Sequence, residues 1–77
     1  MSNYVTDSHF RKFSPIDREY PIYELIEKDR VLLDISANDD GVIEVAIHEA
    51  SVNRIFEFEQ LNRILMEGRK LVENDME

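Results

Sequence analysis

Two stretches of the chain carry residue types that could do chemistry. The first is SANDDGVIEV, residues 36 to 45, where oxygen-bearing side chains lead into a glycine as they do in helix-loop-helix calcium loops. Such a loop takes oxygen ligands at positions 1, 3 and 5, a glycine at 6 and a bidentate glutamate at 12. With Gly41 at position 6, Asn38 and Asp40 fall at 3 and 5, but Ser36 stands at 1 and Ile47 at 12. The charged anchor and the closing ligand are both missing. Asp and Gly tolerate positive φ, and Asx side chains bond back to a turn backbone. The stretch therefore reads as a hairpin turn, and no metal is expected there.

The second stretch is HEASV, His48 to Val52, which follows the zinc-protease pattern H-E-x-x-H until Val52 replaces the second histidine. The only other histidine is His9, near the N-terminus, so a zinc site would have to be assembled across the chain. A nucleophile triad drawn from Ser51, His48 and a nearby acid lacks both a nucleophile elbow and a glycine pair for an oxyanion hole. Asp39 and Asp40 lie in an exposed turn, where nothing desolvates a carboxylate into general acid-base use. With no cysteine, thiolate zinc sites and thiol redox chemistry are excluded. The expectation is a protein that is not an enzyme, with no catalytic residues and no cofactor.

The elements around these residues are set by hydrophobic periodicity. From Pro21 the pattern has the period of two that marks strands. IYELIEK puts Tyr23 and Leu25 on one face, RVLLDIS puts Val31, Leu33 and Ile35 there, and GVIEVAIH adds Ile43, Val45 and Ile47. The gaps, around Lys28 and Asp29 and at ANDDG, are hairpin length, which gives an antiparallel meander. EASVNRIF is a candidate for a short fourth strand or edge segment. From Glu57 the period becomes helical, with Phe58, Leu61, Ile64, Leu65, Gly68, Leu71 and Val72 on one stripe. Gly68 falls inside that apolar stripe, which suggests close approach of the helix backbone to the sheet. The fold class is thus α+β: a three- or four-stranded antiparallel β-meander with one C-terminal α-helix packed on one face. Residues 20–77 form this small domain, and residues 1–19, set apart by Ser14-Pro15 and Tyr20-Pro21, are expected to be a flexible N-terminal arm.

Charge gives the strongest functional hint. Seventeen acids against nine Lys and Arg give a formal net of −8, and the first 19 residues, with three of each sign, contribute none of it. Such a surface repels phosphate backbones and anionic lipid, so direct nucleic-acid or membrane binding is disfavoured and a basic protein partner is favoured. No run approaches the roughly 20 apolar residues of a membrane span, and the polar N-terminus is no signal peptide, so a cytoplasmic location is expected. The sheet face away from the helix presents Ile22, Glu24, Ile26, Leu32, Asp34, Glu44 and Ala46, half apolar and half acidic. The first six of these are the expected partner-binding set, either for a basic protein or for a second copy of the chain. The rival expectation is that the arm folds back, with Phe10 and Phe13 covering Ile22, Ile26 and Leu32. The leading functional expectation is a small inhibitor of immunity or antitoxin type that neutralises a basic partner. Alternatives are a structural or regulatory homodimer, and a phage anti-defence protein that mimics nucleic-acid charge.

Overall fold

The computed structural model describes residues 3–77. Strands β1 (His9–Phe13), β2 (Ile22–Glu27), β3 (Arg30–Ala37) and β4 (Ile43–Ile47) lie side by side in chain order, every neighbouring pair antiparallel. A single 3-10 turn, Glu49–Ser51, follows, and then helix α1, Phe58–Asp75. The α+β meander with its C-terminal helix on one sheet face is therefore the fold of this chain. Its fourth strand comes from the N-terminal segment rather than from EASVNRIF, which contributes only the 3-10 turn and an isolated bridge at Ile55.

Each turn has its own local cause. Lys28 and Asp29 both take positive φ, 47° and 66°, between the Glu27–Arg30 pair, the signature of a two-residue type I′ hairpin whose twist matches that of the strands. The 38–41 turn closes through Gly41 N–H donating to the Asn38 carbonyl at 2.9 Å, with Gly41 at φ 79°. That is the turn-plus-left-handed-residue arrangement of a three-residue hairpin loop. The helix starts where the Glu57 carboxylate accepts from the amides of Glu59 and Gln60, at 3.3 and 2.9 Å, capping the free N–H groups of the first turn. The i,i+4 ion pair on α1 is Arg69–Glu73 at 3.4 Å.

The core lies between α1 and the sheet: Tyr23, Leu25, Leu33, Ile35 and Ala37 meet Ile64 and Val72, with Phe10, Leu61, Leu65 and Leu71 packed around them. Gly68 is the point of closest approach, where a Cβ would stand 3.0 Å from Phe10 Cζ and closer still to the Ile35 side chain. Phe58, expected on the apolar stripe, is 78% exposed, because the buried face begins one turn later.

Two departures from simple alternation matter for function. In β2–β3, Leu25 pairs with Leu33 but Ile26 pairs with Val31, so Leu32 is an extra residue in a β-bulge. The bulge turns Leu32 into the same core as Leu33, where it is fully buried. The second departure is at β4. Ile43, Val45 and Ile47 lie on the helix side as expected, opposite Ala37, Ile35 and Leu33, yet Val45 and Ile47 are 45% and 69% exposed. A helix is about 10 Å across and strands are about 4.8 Å apart, so one helix spans roughly two strands. Here it lies mainly over β2 and β3, so that Ile43 still packs against the core while Val45 and Ile47 are left uncovered.

Candidate functional site

The far face of the sheet, opposite α1, is built by β1 as well as by the three strands read from the sequence. Cross-strand pairing sets Arg11, Glu24, Asp34 and Ala46 in one row, and Phe13, Ile22, Ser36 and Glu44 in the next. Within the first row Arg11 Nη2 donates to Glu24 Oε1 at 2.9 Å, and from just beyond β4 His48 Nε2 reaches diagonally to Asp34 Oδ2 at 2.6 Å. The β1–β2 connection folds over the end of the second row, where Arg18 donates to Ser36 Oγ at 3.1 Å and to the Ala37 carbonyl at 3.2 Å.

Of the six expected partner-binding residues, Glu44 is exposed, Ile22, Glu24 and Asp34 are half-buried, and Ile26 and Leu32 are buried. Leu32 belongs to the core through the bulge, so the face available to a partner is more acidic than the alternation implies. Of the N-terminal segment, the connection after β1 reaches over this face at Ser36 through Arg18, and the stretch from Phe10 to Phe13 does not cover it. That stretch extends the face as an edge strand, with Phe10 turned to the helix side and Phe13 half exposed beside Ile22. Next to Glu44 a shallow hollow forms between the β1–β2 connection and the 38–41 turn, lined by Asp17, Arg18, Asn38, Asp39 and Glu44. Its acids come from three separate stretches of chain, which is why no local motif announces it.

The stretches that suggested chemistry have structural partners. Asn38 Oδ1, which a calcium loop would use as a ligand, accepts the amides of Asp40 and Val42 at 2.9 and 3.0 Å and so holds the turn. Ser51 donates its hydroxyl to the Leu32 carbonyl rather than to His48, and His48 is engaged with Asp34. His9 lies on β1, at the opposite edge of the sheet from the β4 end that carries His48. Among the described residues, no three His, Cys, Asp or Glu side chains gather in a group able to hold a metal ion.

Two polar clusters were not legible in the sequence. Glu27, 5% exposed, receives a bidentate pair from Arg54, Nη1 to Oε1 at 2.5 Å and Nη2 to Oε2 at 2.9 Å, and also the Thr6 amide at 3.1 Å. Arg54 in turn donates to the carbonyls of Asn3 and Tyr4, both at 3.1 Å. A parallel bridge between Tyr4 and Ile55 completes this clasp, which seats Val5 in the core. Arg54 holds the Glu27 carboxyl below the usual carboxylate range, against the opposing effect of burial. The second cluster joins β1, β2 and the end of α1: the Tyr23 hydroxyl donates to Asp75 Oδ2, and Lys12 Nζ reaches Asp75 Oδ1 at 3.4 Å. Burial, and then the Asp75 carboxylate, pushes the Tyr23 hydroxyl up to about 12, while Tyr23 and then Lys12 hold Asp75 down. Both clusters fasten elements together, and the second borders an open groove of about 450 Å³ between β1, β2 and α1.

No known protein family, curated protein or solved structure matches the chain. Among the described residues, no helix is long and apolar enough to cross a membrane.

Proposed function

We propose that this chain is a non-enzymatic interaction domain that works in the cytoplasm by docking a basic protein, as an inhibitor of the immunity or antitoxin kind does. The observation that carries the reading is the unpaired acidic excess. Among the described residues, Arg11, Lys12, Arg54 and Arg69 are tied into ion pairs with Glu24, Asp75, Glu27 and Glu73, and Asp34 is engaged by His48, leaving five Lys and Arg against twelve acids. Asp17, Asp39 and Glu44 of that excess border one hollow, beside the half-apolar row of Phe13 and Ile22. A complementary cationic surface would be steered onto such a face, and occluding it needs no catalytic group. The engagement of Ser51, His48 and Asn38 in structural bonds also supports a binding role over a catalytic one.

Affinity capture from the source cells, followed by binding kinetics on the captured protein, tests this. The expected partner is basic, its association slows steeply with added salt, and Asp39→Lys with Glu44→Lys weakens it. Capture of no basic protein, or a complex indifferent to both salt and charge reversal, overturns the reading.

A further inference from the structure

The uncovered edge of the sheet points to a second surface, independent of the acidic face. We propose that β4 pairs with β4 of a second copy of this chain, antiparallel and centred on Val45, to make a continuous eight-stranded sheet.

The backbone gives the first reason. Asn38 N–H donates to Val42 O, and His48 N–H donates to Leu32 O, so the residue pairs 38/42 and 32/48 are hydrogen-bonded ones. Hydrogen-bonded and non-hydrogen-bonded pairs alternate along an antiparallel ladder. Glu44 and Ala46 therefore bond inward to β3, and Ile43, Val45 and Ile47 turn their N–H and C=O groups out to the open edge. The side chains of these three lie on the helix side, those of Ile43 and Val45 beside Leu65, Met66 and Arg69 in a groove of about 420 Å³.

The second reason is that the strand is its own complement. In Ile43-Glu44-Val45-Ala46-Ile47, a two-fold axis through Val45 sets Val45 against Val45 and Ile43 against Ile47. All three outward residues then exchange both backbone bonds with the copy, and every cross-strand pair on the helix side is apolar. On the far side Glu44 meets Ala46, so the only charge in the strand never stands directly opposite its own copy, an arrangement that would be destabilising. Moving the register by two, so that Ile43 faces Val45, would set Glu44 directly against Glu44.

The third reason is the lack of protection. Edge strands are usually blunted by charged side chains, lysine above all, or by proline, a bulge or an inward-pointing charge. β4 has no lysine, proline or bulge and a single charge, Glu44, on the far face, while the opposite edge, β1, carries Arg11 and Lys12.

Sedimentation equilibrium at submillimolar concentration should give twice the 9.1 kDa chain mass. Association should tighten with added salt, because the copies repel through their net charge of −8 and are drawn together by apolar surface. This is opposite in sign to the salt dependence expected for a basic partner, so failure of either proposal is distinguishable from failure of the other. Val45→Lys places like charges on the axis, and Val45→Pro removes only an outward N–H, which an edge strand tolerates. Both variants should remain monomeric at the same concentration with unchanged circular dichroism. In the native chain the amides of Ile43, Val45 and Ile47 should gain hydrogen-exchange protection as concentration rises. A native chain that stays monomeric in high salt overturns the proposal, as does a dimer that survives both substitutions or leaves those three amides unprotected.

Discussion

Among the described residues, Glu27 is the only charged side chain that the fold buries, and it is buried with its partners in place. Removing one member of such a pair strands an uncompensated charge, whereas replacing both with apolar groups is often neutral. Arg54→Met is expected to lower the melting temperature by more than roughly 10 °C, and Glu27→Met with Arg54→Met to recover most of the loss, as thermal melts will show. Because the carboxyl titrates lower in the folded state, its contribution is complete above about pH 4.3 and fades as pH falls through the depressed folded value. The stability difference between the native chain and Arg54→Met should therefore be full near neutral pH and shrink as pH falls below that range. Tyr23 acts at the other end of the scale. Its folded pKa is raised, so its contribution is complete below about pH 10 and is lost as pH climbs toward about 12. In urea unfolding, the stability difference between the native chain and Tyr23→Phe should hold steady to pH 10 and then shrink. A difference that does not shrink would remove the hydroxyl from this role.

At the scale of elements, the seat of α1 on the sheet depends on Gly68. Alanine would gain up to about 1 kcal/mol of helix propensity, but overpacking a filled core costs about 1–3 kcal/mol. Gly68→Ala is expected to be a net loss, relieved by Ile35→Val, which removes the methyl group nearest the new Cβ. Chemical denaturation of both single variants and the double should give a favourable coupling of at least about 0.5 kcal/mol. Additive losses would mean that α1 shifts instead. This contact was legible because a glycine inside an apolar helical stripe has few other uses. The 38–41 turn was legible as well, since Asn and Gly sit where their side chain and φ are needed. β1 was not. HFRKF directs one phenylalanine to each face and puts two charges between them, so an edge strand reads as a polar arm. The bulge hid within Val31-Leu32-Leu33, where three apolar residues in a row conceal a skipped step in the alternation.

At the scale of the whole molecule, sequence order and spatial order coincide for the sheet but not for the clasp. Charge excess is a property of composition and was plain from the residue types. Which acids remain unpaired, and that Asp17, Asp39 and Glu44 converge, depends on tertiary packing that no local pattern encodes. The exposure of Val45 and Ile47 is similar, because alternation assigns a face and does not say how far a single helix reaches across it. The clasp has a kinetic consequence. Every strand pairing in the meander closes over a short loop, whereas Tyr4 and Ile55 meet across some fifty residues of chain. Loop-closure entropy places such a contact late, after hairpins and helix have docked. In a denaturant chevron, Val5→Ala and Arg54→Met should steepen the rate of opening and leave the refolding arm almost unmoved. The end of the chain that looked least structured would then serve as the latch that decides how long the native state survives.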